Sequence, residues 1–213
     1  VTDTLQSHGY KAYVVGGAVR DIMLDRTPKD YDVATDATPE QVNAVFRRSR
    51  IIGRRYRLVH VMFGMDTIEV STFRASQVSA DHHQHKDEHG RLLRDNVFGD
   101  QAEDAVRRDF TVNALYYDPS TEEVIDYCGG VRDLEHRTLR MIGDPVERYR
   151  EDPVRMLRAV RLAAKLGLNI ERHTEAPIRE LAPLMQNVPA SRLFEEMLKL
   201  LLSERVSIRN LHL

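Results

Sequence analysis

Residues 11–34 read KAYVVGGAVRDIMLDRTPKDYDVA, and this stretch decides the fold. Residues 11–15 form a short β-branched and aromatic run, which predicts a strand. Gly16 and Gly17 end it, and residues 18–24 then predict a helix. Residues 31–34 predict a second strand. Working outward, Thr38 can cap a helix over 39–49 with Pro39 at its first position, and Val42, Val45 and Phe46 share one face. Residues 58–63 and 67–73 predict two strands joined by a turn at Gly64, Met65 and Asp66. A polar, turn-rich loop is expected over 76–99, a helix or strand over 110–117, and a further strand over 123–127.

From about residue 144 the pattern is helical. Asp152 and Pro153 open a helix whose apolar stripe is Val154, Leu157, Val160 and Ala164, and Gly167 stops it. A second helix is expected over 175–184, broken near Pro183, and a third over 191–202 with Ser191 as its cap. The pattern predicts an α+β chain: a head over 1–140 with a small mixed sheet flanked by helices, then an all-helical neck over 141–213. The chain opens on Val1 rather than Met, and its last residues, 203–213, are Leu-containing without a clear pattern. The expectation is a trimmed chain whose neck is truncated and continues into more protein.

Of 213 residues, 42% are hydrophobic and 30% charged, an ordinary balance for a water-soluble domain. No apolar run approaches the roughly 18 residues that span a membrane, and residues 1–8 do not read as a signal peptide. Cys128 is the single cysteine, which excludes an internal disulfide and fits a reducing cytoplasm. The net charge of −2 hides a skew, because 26 of the 31 basic residues are Arg and 5 are Lys. Arg grips phosphate with a planar fork. The densest cluster is Arg47, Arg48, Arg50, Arg54, Arg55 and Arg57; a solvated cationic face would look the same.

Several groups could carry chemistry. Asp30 and Asp32 are two apart on a predicted strand, so both point to one face about 7 Å apart. Such a like-charge pair is costly unless cations sit between them, and a two-metal site needs bridging carboxylates. Two acids in a turn after Pro28 fit the same letters. Gly16 and Gly17 before a helix let backbone N–H groups approach a phosphate, with Arg20 one turn in as a clamp; a tight turn needing small residues is the alternative. If Ile68 and Val70 face the core, Glu69 faces the other side and can meet the two aspartates. Arg107, Arg108, Asp109 and Asn113 combine phosphate-gripping groups with groups suited to ribose or base. Asp152 and Arg155, three apart on a helix, offer an acceptor and a fork of donors that can read a base edge, although Asp152 also fits a helix cap. His82, His83, His85 and His89 have no fixed spacing or cysteine to support a zinc site.

Taken in order, the segments GGAVRD (16–21), KDYD (29–32), RRDFTVNA (107–114), EDPVRMLRA (151–159) and SRLFEE (191–196) resemble the class II nucleotidyltransferases of the DNA polymerase beta superfamily. That family holds CCA-adding tRNA nucleotidyltransferases and bacterial poly(A) polymerases. The resemblance implies that Asp30 and Asp32 hold two Mg²⁺ ions (or Mn²⁺), with Glu69 as a third acid. It implies that Gly16, Gly17 and Arg20 bind the triphosphate of ATP, and that Arg108, Asp109 and Asn113 lie against ribose and phosphates. Asp152 and Arg155 would meet the incoming base and Arg158 the phosphates, while Arg192 and Glu196 brace the neck. Residues 51–61, IIGRRYRLVHV, resemble the signature that marks bacterial poly(A) polymerases. The implied activity is AMP addition from ATP to RNA 3′ ends by a cytoplasmic monomer. CCA addition is the alternative, and a non-catalytic RNA-binding module on the same scaffold is a further one.

Overall fold

A computed structural model describes residues 1–53, 57–75 and 98–202. Most of the loop expected over 76–99, the four clustered histidines, Arg54, Arg55 and residues 203–213 lie outside the described residues. The chain divides into two compact units. The first comprises Val1–Arg108 and Asn113–Cys128; the second comprises Asp109–Val112 and Gly129–Leu213. This division falls before the boundary expected near 140, because residues 109–112 pair with the strand-like segment 140–142. Thr111 N–H donates to the Arg140 carbonyl at 3.0 Å, and Ile142 N–H to that of Asp109 at 2.9 Å.

The first unit opens with α1 (Thr2–Ser7), β1 (Ala12–Val15) and α2 (Gly17–Met23). Next come β2 (Asp32–Thr35), α3 (Pro39–Val45), β3 (Ser49–Ile52), β4 (Leu58–Phe63) and β5 (Asp66–Thr72). It closes with α4 (Gln101–Val106), β6 (Leu115–Asp118) and β7 (Glu123–Asp126). The expected strand–turn–helix–strand start is present. The helix after Thr38 is shorter than expected, because Ser49–Ile52 leaves it to pair with β4. Its start is built as read: Thr38 and Gln41 bond each other's backbone N–H groups, and Pro39 follows the cap.

The seven strands lie in the order β3-β4-β5-β2-β1-β6-β7. β2 and β5 are parallel, and the other described pairs of this sheet are antiparallel. One face buries Ala12, Val33, Val59, Val61 and Val70 with Leu5 of α1 and Val42 of α3. Each of these Val and Leu side chains, once removed from water, contributes about 1.5–3 kcal/mol. Alternation therefore turns Asp32 and Glu69 to the other face.

The second unit contains α5 (Gly130–Glu135), β8 (Thr138–Leu139), α6 (Pro145–Glu151), α7 (Val154–Leu166), β9 (Asn169–Ile170), α8 (Arg172–Glu175), α9 (Ile178–Leu181) and α10 (Ala190–Leu201). It is helical apart from the parallel β8–β9 pair, which the all-helical expectation missed. Two-residue strands carry no periodicity, so only their distant partner reveals them. Gly167 ends α7 in the left-handed region (φ 68°), and its N–H caps the Ala163 carbonyl. The buried residues of α7 are Val154, Met156, Ala159, Leu162, Ala164 and Leu166, a wider surface than the expected stripe through Leu157 and Val160. The helix expected over 175–184 is three short pieces, ending in a 3₁₀ segment at Ala182–Asn187 that contains Pro183. No described helix is long and apolar enough to cross a membrane.

Candidate active site

In the first unit, the parallel pairing of β2 and β5 sets Asp32 directly beside Glu69. Residues in register on adjacent strands point to the same side, so the two carboxylates share one face. Asp30 lies two residues before Asp32, just ahead of the start of β2. Asp30 acts on Asp32. Desolvation pushes the Asp32 carboxyl up, the charges of Glu69 and Asp30 push it further, and Arg108 pulls it partly back. Like charges drawn together in this way suit cations. Among the described residues, no group of three or more His, Cys, Asp or Glu donors is placed to hold a metal ion by itself. The carboxylates of Asp32 and Glu69 on one face are a donor pair that a hard divalent cation can share, its shell completed by water and phosphate oxygens.

The glycine turn lies one strand away, after β1. Gly16 has φ of 70°, a conformation that a side chain would strain, and its N–H donates to the Leu115 carbonyl at 3.1 Å. A Cβ on Gly16 would stand 3.5 Å from Arg108 Nη1, and one on Gly17 3.5 Å from Arg20 Nη2. Both guanidinium groups thus lie beside the turn at the start of α2. Arg20 is buried; Nε and Nη2 donate to Asp21 Oδ1 at 2.8 and 2.6 Å, and Nη1 to Asn113 Oδ1 at 2.6 Å. These bonds fix the guanidinium while leaving N–H capacity, since the group has five donors.

Arg108 is held from behind. Its Nη2 donates to Asp104 Oδ2 at 3.0 Å and its Nε to Tyr116 Oη at 3.1 Å. Its Cζ lies 5.2 Å over the Tyr116 ring, a cation–π distance. Asp104 is 1% exposed and also accepts from Arg107, from Tyr116 Oη at 2.7 Å and from the Arg74 N–H at 3.1 Å. Burial pushes the Asp104 carboxyl up, but Arg108, Arg107 and the Tyr116 hydroxyl outweigh it and hold the group below the usual carboxylate range.

In the second unit, Asp109 is ion-paired with Arg158 at 2.5 Å. Asp152 ends α6 and pairs with Arg192 of α10 at 2.9 Å, so it does not cap α7. Arg155 Nη1 donates to the Arg148 carbonyl at 2.7 Å and to Glu151 Oε2 at 2.8 Å. Arg161 and Glu196 join α7 to α10 at 2.8 Å. The candidates split by unit: Gly16, Gly17, Arg20, Asp30, Asp32, Glu69, Arg108 and Asn113 belong to the first, and Asp109, Asp152, Arg155 and Arg158 to the second.

Residues 12–140 match the family model described as the poly(A) polymerase head domain. The chain belongs to this family. Residues 167–211 also match a second model, described as a probable RNA and SrmB-binding site of polymerase A. Poly(A) polymerase I of Haemophilus influenzae is 55% identical over 204 residues, 94% of this chain and 45% of the relative. Poly(A) polymerase I of Escherichia coli O6:H1 is 56% identical over 200 residues, 92% of this chain and 43% of the relative. The chain thus spans less than half the length of these curated relatives. The Bacillus stearothermophilus CCA-adding enzyme in complex with CTP superposes with a TM-score of 0.79 at 38% identity, covering 94% of this chain and 46% of that one.

The α+β architecture is the one this family's head domain was expected to have, with a mixed sheet flanked by helices. Sequence reading missed Asp104 and Tyr116. The signal for Asp104 was its spacing, three and four residues before Arg107 and Arg108, which stacks the three side chains on one helical face.

Proposed function

We propose that this chain is the nucleotide-adding part of a template-independent polynucleotide adenylyltransferase that transfers AMP from ATP to RNA 3′ ends. The observation that carries the reading is Asp32 in register with Glu69, with Asp30 alongside and an Arg-lined glycine turn on the neighbouring strand. The likeness to two relatives named Poly(A) polymerase I supports the choice of ATP.

Asp30 and Asp32 are the groups that would hold two divalent cations, Mg²⁺ or Mn²⁺, with Glu69 as the third acid. Bound there, such ions lower the pKa of the attacking 3′-hydroxyl and neutralise charge on the departing pyrophosphate. The RNA 3′-oxygen forms a bond to the α-phosphorus, the bond from that phosphorus to the α–β bridging oxygen breaks, and the hydroxyl proton passes to solvent. Gly16, Gly17, Arg20 and Arg108 orient the triphosphate, and Asn113 fixes Arg20 beside it. Such positioning and fixed charge supply most of the acceleration in phosphoryl transfer. In the second unit, Asp152 and Arg155 offer an acceptor and donors suited to a base edge, and Asp109 and Arg158 suit ribose and phosphate. Base reading requires the pairs with Arg192 and Glu151 to give way.

The test is 3′-extension of a short labelled RNA with Mg²⁺ and each nucleoside triphosphate singly. A long ladder with ATP alone is expected. Addition limited to C, C and A on a shortened tRNA would instead support CCA addition, the reading favoured by the 38% identity to a CTP-binding CCA-adding enzyme. Asp32→Ala is expected to abolish extension while keeping its thermal transition; normal turnover in that variant would remove the site.

A further inference from the structure

One face of the first unit's sheet carries Arg50, His60, Glu69, Asp32, Val15 and Tyr116 in a single cross-strand row. Arg108 lies over the ring at the Tyr116 end. Charge along the row therefore runs cationic, acidic, cationic, with the acids in the middle. The two cationic ends differ. At the Tyr116 end the guanidinium is held by Asp104 and lies beside the glycine turn, a fixed cradle for a compact polyanion. At the other end Arg50 is exposed, and no ion pair is recorded for it among the described residues. Arg48 follows the same edge, its carbonyl accepting from the Met62 N–H at 2.9 Å. His60 stands between Arg50 and Glu69, with Nε2 3.7 Å from Glu69 Oε2. Beside this strip, Met62 is 46% exposed. Arg57, from the same sequence cluster, is instead tied to Glu40 at 2.5 Å.

We infer that the strip formed by Arg48, Arg50, His60 and Met62 binds the last nucleotides of the RNA that is being extended. The inference rests on the nucleotidyl-transfer reading of the acids. In-line transfer puts the attacking and leaving oxygens on opposite sides of the reacting phosphorus. The glycine turn and Arg108 occupy the β1–β6 side of Asp32, so the nucleophile approaches over β5, β4 and β3. Arg50 is three strand spacings from Asp32, about 14 Å. That is the reach of a few nucleotides behind a 3′-hydroxyl held at the acids. Arg48 and Arg50 meet backbone phosphates, while the His60 ring and the Met62 thioether offer flat and soft apolar surface to the terminal bases. The strip carries no cue to base identity, so it grips RNA irrespective of sequence.

The experiment measures binding of a short 3′-hydroxyl oligoribonucleotide by fluorescence anisotropy across a salt series, alongside the KM for ATP. The Arg48→Ala/Arg50→Ala double variant is expected to bind RNA about tenfold more weakly. Its log-affinity against log-salt slope should be shallower by about 1.4, since each lost phosphate contact removes roughly 0.7 on single strands. The KM for ATP stays at the parent value, and Arg57→Ala leaves the slope unchanged. Parent-like RNA affinity and slope in the double variant would overturn the strip, whatever the catalytic outcome. Failure of the parent chain to add any nucleotide, with the slope change intact, would instead strike the reading of the acids.

Discussion

At the scale of single residues, Asp104 separates holding a fold from aiming a site. It is buried with bonds from two guanidinium groups, one hydroxyl and one backbone N–H. Removing one member of a buried ion pair leaves the other charge uncompensated and costs about 3–5 kcal/mol. Asp104→Asn is therefore expected to lower the urea midpoint and to weaken ATP binding, because Arg108 loses the anchor that keeps it against Gly16. Tyr116→Phe removes the hydroxyl that donates to Asp104 and accepts from Arg108 Nε, but spares both arginine bonds to Asp104; it should cost about 1 kcal/mol and weaken ATP binding less than Asp104→Asn does. Urea titration and equilibrium ATP binding of both variants check this. Equal loss of ATP affinity in the two would mean that Asp104 acts only through stability.

Among the elements, those with strong local chemistry were legible in the sequence. The run ending at Gly16, the Thr38 capping box, the β4–β5 hairpin and the Gly167 stop each rest on a few neighbouring residues, and each is present. Glu69 was placed opposite the core by alternation alone, and its register with Asp32 follows from the parallel pairing. The misses are elements whose logic is distant or brief. β3 needed β4 to declare itself, β8 needed β9, and the six- and seven-residue helices α1, α4 and α6 are too short to show a helical period. The cap of α8 was missed as well. Glu171 accepts from the N–H groups of His173 and Thr174, both at 3.0 Å. Burial pushes its carboxyl up, but the bonds from His173 and Thr174 prevail and bring it down to about 2 from an ordinary 4.5. A carboxyl lowered on folding adds stability that is fully present above about 4.5 and lost as pH falls toward 2. Glu171→Ala should cost about 1 kcal/mol at neutral pH, as N-cap losses do. Its thermal transition and the parent's should converge below pH 3, by about the lowered value; a constant gap across that range would assign the loss to packing instead.

For the molecule as a whole, domain boundaries are the least legible feature, because residues 109–112 sit within the first unit's sequence yet belong to the second unit. A head fragment ending at residue 140 would keep Phe110 and Val112, both fully buried, while losing Met141, which bridges to Phe110. Exposing a phenylalanine of that kind costs about 1.5–3 kcal/mol. The 1–140 fragment should therefore bind hydrophobic dyes and unfold at lower urea than the full chain, and Phe110→Ser should lessen the dye binding. A fragment as stable as the parent would show that the 109–112 pairing contributes little. The parallel β2–β5 pair also has a consequence in time. β4 and β5 are joined by a tight turn, whereas β2 reaches β5 only after the chain has laid down α3, β3 and β4 between them. Pairings between distant segments close late, since loop entropy must be met first. Asp32 and Glu69 thus meet after the β4–β5 hairpin has formed, against their own repulsion, and before the far more distant strands β1 and β6 close the sheet.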